Sequence, residues 1–210
     1  MVTGVRRVLF RSVRYAIEAK GDEAKYFELL DKYFNLAVEE HLRTFEQMSK
    51  MTGSCNPLFF CEGGCHIKIG YDESIRRALE TFTWSFGYIG LEEATLLMRG
   101  CGINEDPSFA LKVLIHLNKR IKEAKNKHKL LFALYGTPAE GLSYKFRNKD
   151  FKQYGLIEGV TDKKYYMNSF HVNVQTKIAW KDKQDIEDAL FHQSNGGHIV
   201  YSERSEEHTS

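Results

Sequence analysis

The chain has 210 residues, enough for one domain or a large piece of one. Its 30 Lys+Arg against 28 Asp+Glu leave a net charge of +2, and Arg6, Arg7, Arg11 and Arg204 against Glu206 and Glu207 supply that surplus, so residues 13–203 are neutral. Binding to a phosphate backbone or an anionic bilayer needs a basic surplus or stripe, so neither nucleic acid nor membrane is expected as a partner. No apolar run approaches the roughly 20 residues that span a bilayer, and no signal segment opens the chain. The four cysteines, Cys55, Cys61, Cys65 and Cys101, match no common zinc or haem spacing, and no Asn-x-Ser/Thr acceptor occurs. Both observations favour a reducing, cytoplasmic setting with free thiols.

Arg6 to Ser12 and Arg204 to Ser210 back-translate as opposite strands of one piece of DNA that resembles a sequencing-library adaptor. Residues 1–12 and 204–210 are therefore expected to be adaptor-derived scars outside the fold, flanking a native segment 13–203 of a longer protein. Within that segment, Tyr26, Leu29, Leu30, Tyr33, Phe34, Ala37, Val38, Leu42 and Phe45 recur at three- and four-residue steps and predict a long amphipathic helix over 22–50, with Asp22 as its N-cap. Pro57 to Cys61 is a short apolar run before Glu62-Gly63-Gly64 and reads as a buried strand; a helix is expected over 72–82 and a second strand over 84–89. Leu91 to Met98 returns to helical spacing. Pro107 to Lys125 is a helix with acidic residues at its start, and Lys119 to Lys129 form its solvated face and C-terminal end. Leu130 to Tyr135 is an all-apolar strand ended by Gly136. A helix over 138–147, a strand over 166–174, a helix over 182–191 and a last strand over 198–201 complete the reading. Apolar strands alternating with helices argue for an α/β architecture with a sheet buried on both faces.

Three stretches could carry chemistry. In Gly136-Thr137-Pro138-Ala139-Glu140-Gly141, between a strand and a helix, Thr137 fits an N-cap, Pro138 the first turn, and Glu140 closes a Thr-x-x-Glu capping box. Such a helix start is either a phosphate cradle, through its free N–H groups and dipole, or simply a well-capped helix. On an extended strand Asn168, Phe170 and Val172 share one face and Ser169, His171 and Asn173 the other; the polar groups either bind a sugar or base or are satisfied inside a core. Phe60 to His66 is dense in thiol, carboxylate and imidazole, but Cys61-x-x-x-Cys65 alone leaves half a tetrahedral shell unfilled, so buried structural thiols are expected and no metal ligand is assigned.

Six ordered stretches resemble the anaerobic (class III) ribonucleoside-triphosphate reductases. They are Glu18 to Ala24, Glu62 to Cys65, Ser85 to Gly90, Tyr135 to Glu140, Gly159 to Lys163 and Asn168 to Val172, and the resemblance runs over nearly all of 13–203. It implies the C-terminal half of a ten-stranded α/β barrel of glycyl-radical-enzyme type, a partial catalytic domain of an enzyme that reduces ribonucleotides to deoxyribonucleotides. It also implies that Gly136, Thr137, Pro138, Ala139, Glu140 and Gly141 are a substrate-phosphate loop, with Asn168, Ser169 and His171 as pocket wall. In such enzymes a glycyl radical, installed by an iron–sulfur/S-adenosylmethionine activating protein, passes to a finger-loop cysteine. The resemblance places that cysteine upstream of Val13, and the glycyl-radical segment and a four-cysteine zinc site downstream of Glu203. No cysteine of this chain aligns with the radical cysteine, so no catalytic residue is assigned and no cofactor is expected on this segment. The expected partners are a ribonucleoside triphosphate, the activating protein and, for the parent, a second copy in a homodimer. The alternatives are a barrel fragment of another glycyl-radical enzyme, such as a formate-lyase relative, and a free-standing nucleotide-binding module.

Overall fold

A computed structural model describes residues 8–136 and 138–201. Three parallel strands, β1 (Val8–Arg11), β2 (Thr83–Ile89) and β3 (Leu131–Tyr135), form a sheet in the order β1-β2-β3. The register places Arg11 opposite Ile89 and Gly87 opposite Tyr135, so the three carboxyl ends line one edge. Around them lie α1 (Ser12–Ala19), α2 (Glu23–Met48), the short α3 (Pro57–Phe60) and α4 (Arg76–Leu79), α5 (Leu91–Arg99), α6 (Ser108–His128), α7 (Glu140–Tyr154) and α8 (Trp180–Phe191). The expected α/β class with a parallel sheet is what forms; both β1 to β2 and β2 to β3 are joined by helical crossovers, as parallel pairing requires.

Helix α2 exists because its apolar stripe has a sheet to cover. Asp22 accepts from the Lys25 N–H and caps it, and Phe34 stacks on Phe10 and Phe86 at 6.2 and 5.1 Å between ring centres. His41, two turns further on, is wedged edge-on against Trp84 and Phe86. On the other side of the sheet a smaller cluster joins Ile89 to Val13, Val160 and Tyr166, so β2 is buried on both faces. Lys119, Lys122, Lys125 and Lys129 are exposed along and just beyond α6, the solvated face its charge pattern predicts.

Several expectations are corrected. Residues 8–11, expected to be part of the adaptor-derived segment, pair with β2: Val8-Leu9-Phe10 is an apolar extended run along its edge, and Phe10 and Ser12 are buried. Pro57 to Phe60 is a helical turn and not a strand, because Pro57 sits at its first position and the Asn56 side chain accepts from the Phe59 N–H. Of the helix expected over 72–82 only Arg76–Leu79 forms. The segment 166–174 is not a strand: Ser169 has φ 45°, the His171 N–H donates to the Asn168 carbonyl, and residues of both supposed faces are buried. Residues 198–201 make one bridge, His198 to Gly136, and no strand. Helix α7 starts at Glu140 with Ala139 at its N-cap; Thr137 and the Glu140 side chain, which the expected Thr-x-x-Glu capping box needs, lie outside the described residues.

Candidate functional site at the carboxyl edge of the sheet

In a parallel sheet the loops after the strands share one edge, and ligands of α/β folds bind there. Two loops meet at this edge. After β2 the chain turns at Gly90, whose φ of 76° suits glycine and whose missing Cβ leaves room for Val13. The Gly90 N–H donates to the Met167 carbonyl at 2.9 Å, the Leu91 N–H to the Ser169 carbonyl at 3.3 Å, and Ile89 bridges Asn168. Residues 167–169 are thereby laid across the end of β2. Both carboxylate oxygens of Glu93 accept from the Met167 N–H, at 3.0 and 3.2 Å. Burial raises the Glu93 carboxyl to about 7, against the opposing pull of the Lys163 ammonium.

After β3 the chain passes Gly136, whose N–H donates to the Gly197 carbonyl. A Cβ there would come within 3.0 Å of His198 Cβ and 3.2 Å of Phe170 Cε1. Gly136 thus serves close packing, and its amide is committed to the 194–198 turn instead of standing free for an anion, contrary to the cradle expectation. Thr137 lies outside the described residues, as does the side chain of Glu140. Pro138 is half-buried and precedes the helix; Ala139 donates its N–H to Asn168 Oδ1 at 3.2 Å, joining this turn to the 167–169 segment that crosses the end of β2. Gly141, in the first turn of α7, is exposed with open space around it.

Of the predicted residues the fold gathers Ala139, Asn168 and His171. Asn168 and His171 line a cavity of about 350 Å³ with Ser143, Lys183 and Tyr201. Ser169 is buried, and its role there is the backbone bond to Leu91. His171 Nδ1 lies 3.3 Å from Glu187 Oε2, and the other Glu187 oxygen accepts from the Val172 N–H at 2.9 Å. Lys183 Nζ donates to the Tyr201 carbonyl and stands 4.0 Å from Glu187. Lys183 and Glu187 were not singled out from the sequence. Their signal is the spacing of Lys183, Ile186, Glu187 and Leu190 at three- and four-residue steps, which puts a carboxylate on the inward stripe of α8.

The cysteine-rich stretch lies before β2, at the opposite edge: Phe59 packs on Phe82, the residue leading into the strand. Cys61 and Cys65 are buried thiols while Glu62 and His66 are exposed. Among the described residues no group of three or more His, Cys, Asp or Glu is arranged to hold a metal ion, and no helix is long and apolar enough to cross a membrane.

Residues 12–210 match the sequence profile of the family described as anaerobic ribonucleoside-triphosphate reductase. The chain is 32% identical over 196 residues to the anaerobic ribonucleoside-triphosphate reductase of Escherichia coli K12, covering 90% of this chain and 28% of that protein. It is 31% identical over 187 residues to that of Enterobacteria phage T4, covering 87% and 29%. It therefore spans under a third of the length of these relatives. Among solved structures it is similar to the anaerobic ribonucleotide reductase from Thermotoga maritima with citrate in the active site, with a TM-score of 0.69 and 18% identity over 95% of this chain and 35% of that one. The same enzyme in complex with dATP and CTP gives 0.68 and 17%, over 91% and 31%.

Proposed function

Because the chain belongs to the anaerobic ribonucleoside-triphosphate reductase family, we propose that it is part of the substrate-binding barrel of a reductase that converts ribonucleotides to deoxyribonucleotides. In this reading β1, β2 and β3 are a stretch of the C-terminal half of a ten-stranded barrel, and the carboxyl edge of the sheet faces the nucleotide. The carrying observation is the junction at that edge: the Ala139 N–H, in the turn after β3, donates to Asn168 Oδ1, which ties that turn to the loop whose Asn168 and His171 line a cavity. The complex of a structural relative with dATP and CTP supports a nucleotide as ligand.

The roles of the residues follow from their chemistry. The first turn of α7, beginning at Glu140, offers backbone N–H groups and the positive end of a 15-residue helix to a phosphate, with Gly141 leaving the approach open. Lys183 supplies a cation at the cavity wall, and Asn168 and His171 supply directional hydrogen bonds. Binding and orientation are this segment's contribution. The radical cysteine, the glycyl radical and the zinc site belong to other parts of a cytoplasmic, homodimeric parent served by a radical S-adenosylmethionine activating protein.

The test uses the full-length protein carrying this segment, activated without oxygen and supplied with each of the four ribonucleoside triphosphates. Deoxyribonucleotide is the expected product, and Asn168→Ala raises KM for the substrate by about tenfold, the cost of one hydrogen bond to a buried group. Absence of product with all four, together with turnover of an unphosphorylated acyl or diol substrate, transfers the chain to the formate-lyase-like alternative.

A further inference from the structure

His171 is 2% exposed, and its Nε2 atom has no hydrogen-bond partner among the described residues although the ring lines the 350 Å³ cavity. An unpaired polar atom in a buried ring costs roughly 1–3 kcal/mol and calls for a partner. The ring is held from its other side. The Val172 N–H and the Lys183 ammonium are both directed at Glu187, which makes its carboxylate an acceptor. The proton therefore sits on His171 Nδ1, donated to Glu187 Oε2, and Nε2 keeps a lone pair. Tyr201 meets the ring edge-on at 4.9 Å and Phe170 lies 4.6 Å from it, so the ring is locked in place by its neighbours. A lone pair fixed in this way seeks an O–H or N–H donor and repels an oxyanion. The phosphate end of a nucleotide, drawn toward the start of α7, leaves the hydroxyl-bearing sugar as the donor nearest His171.

We propose that this cavity is a sugar subsite in which His171 Nε2 accepts the hydrogen bond of a ribose hydroxyl, with Glu187 as the positioning residue that fixes the ring. The inference rests on the nucleotide-binding reading above and adds to it which atom reads the sugar. It assigns Glu187, on α8, a part in recognition that it does not make by touching the ligand.

The experiment measures equilibrium binding of CTP, 2′-deoxy-CTP and 3′-deoxy-CTP to the full-length protein, in the native form and as His171→Gln, His171→Ala and Glu187→Gln. The expected result is a loss of about tenfold in CTP affinity for both His171 variants, and equal affinity of native and variant proteins for the analogue that lacks the recognised hydroxyl. Glu187→Gln, which keeps the shape but lets the ring rotate, loses an intermediate amount with the same analogue pattern. A uniform loss for all three nucleotides, or no loss, overturns the subsite and returns His171 to a packing role; thermal unfolding of the Gln variants separates that from misfolding. If the native protein binds none of the three, the nucleotide reading itself fails, and the subsite with it.

Discussion

At the scale of single residues, the carboxyl edge of the sheet is held by groups whose charge state matters. Glu93 is fully buried and grips the Met167 N–H with both oxygens, and burial raises it to about 7 from an ordinary value near 4.5. A carboxyl that is harder to ionise when folded binds protons in the native state that the unfolded chain has released. Its stabilising effect is thus fully present below about 4.5 and is lost as pH rises through about 7. Glu93→Gln keeps an acceptor for Met167 without the charge. Denaturant unfolding at pH 5 and pH 8 is expected to show the native protein losing stability relative to the variant across that window, on the order of 1 kcal/mol per pH unit. Parallel curves would mean that Glu93 titrates alike in the folded and the unfolded chain. Gly136 illustrates the opposite kind of residue: it carries no chemistry, but His198 and Phe170 close on the space a methyl group would need.

At the scale of elements, the decisive contacts join helices that the sequence leaves far apart. Asp150 on α7 is buried and accepts from Arg14 on α1 at 2.5 and 2.8 Å, from Arg11 at the end of β1 at 2.8 Å and from the Tyr166 hydroxyl at 3.1 Å. This one carboxylate pins the helix after β1, the helix after β3 and the loop that crosses β2. Asp150→Ala leaves two guanidinium groups facing each other without a counter-charge and is expected to cost about 3 kcal/mol, read from the denaturant midpoint; a loss below 1 kcal/mol would show that water replaces the carboxylate at no penalty. The two long helices were legible because each has a stripe and a stop: α2 in its apolar recurrence and Asp22 cap, α6 in its lysine-rich face. Strands β2 and β3 were legible as apolar runs ended by Gly90 and Gly136. The segments 57–61 and 166–174 misled because the local turn geometry that shapes each leaves no mark on the hydrophobic pattern. Asn56, Pro57 and the positive φ of Ser169 override the strand pattern locally.

For the whole molecule, β1 and β3 are the outer strands of the three-stranded sheet among the described residues, and Leu131 on β3 is exposed. Parallel strands left without neighbours present unpaired N–H and C=O groups, so the purified 210-residue chain is expected to self-associate, with a concentration-dependent mass by sedimentation velocity. A monodisperse monomer with one cooperative unfolding step would favour the free-standing module over the barrel fragment. The amino-acid sequence by itself determined the α/β class, the long helices α2 and α6, strands β2 and β3, and the family, since hydrophobic period and ordered motifs are local properties of the text. Only the tertiary structure decided that Val8 to Arg11 completes a sheet, that Gly136 is a packing position and that the helix after it starts at Glu140. It alone brought His171, Glu187 and Lys183 into one buried cluster, because the pairing of a loop residue with a helix 12 to 16 positions later depends on which surfaces are covered and leaves no period to read.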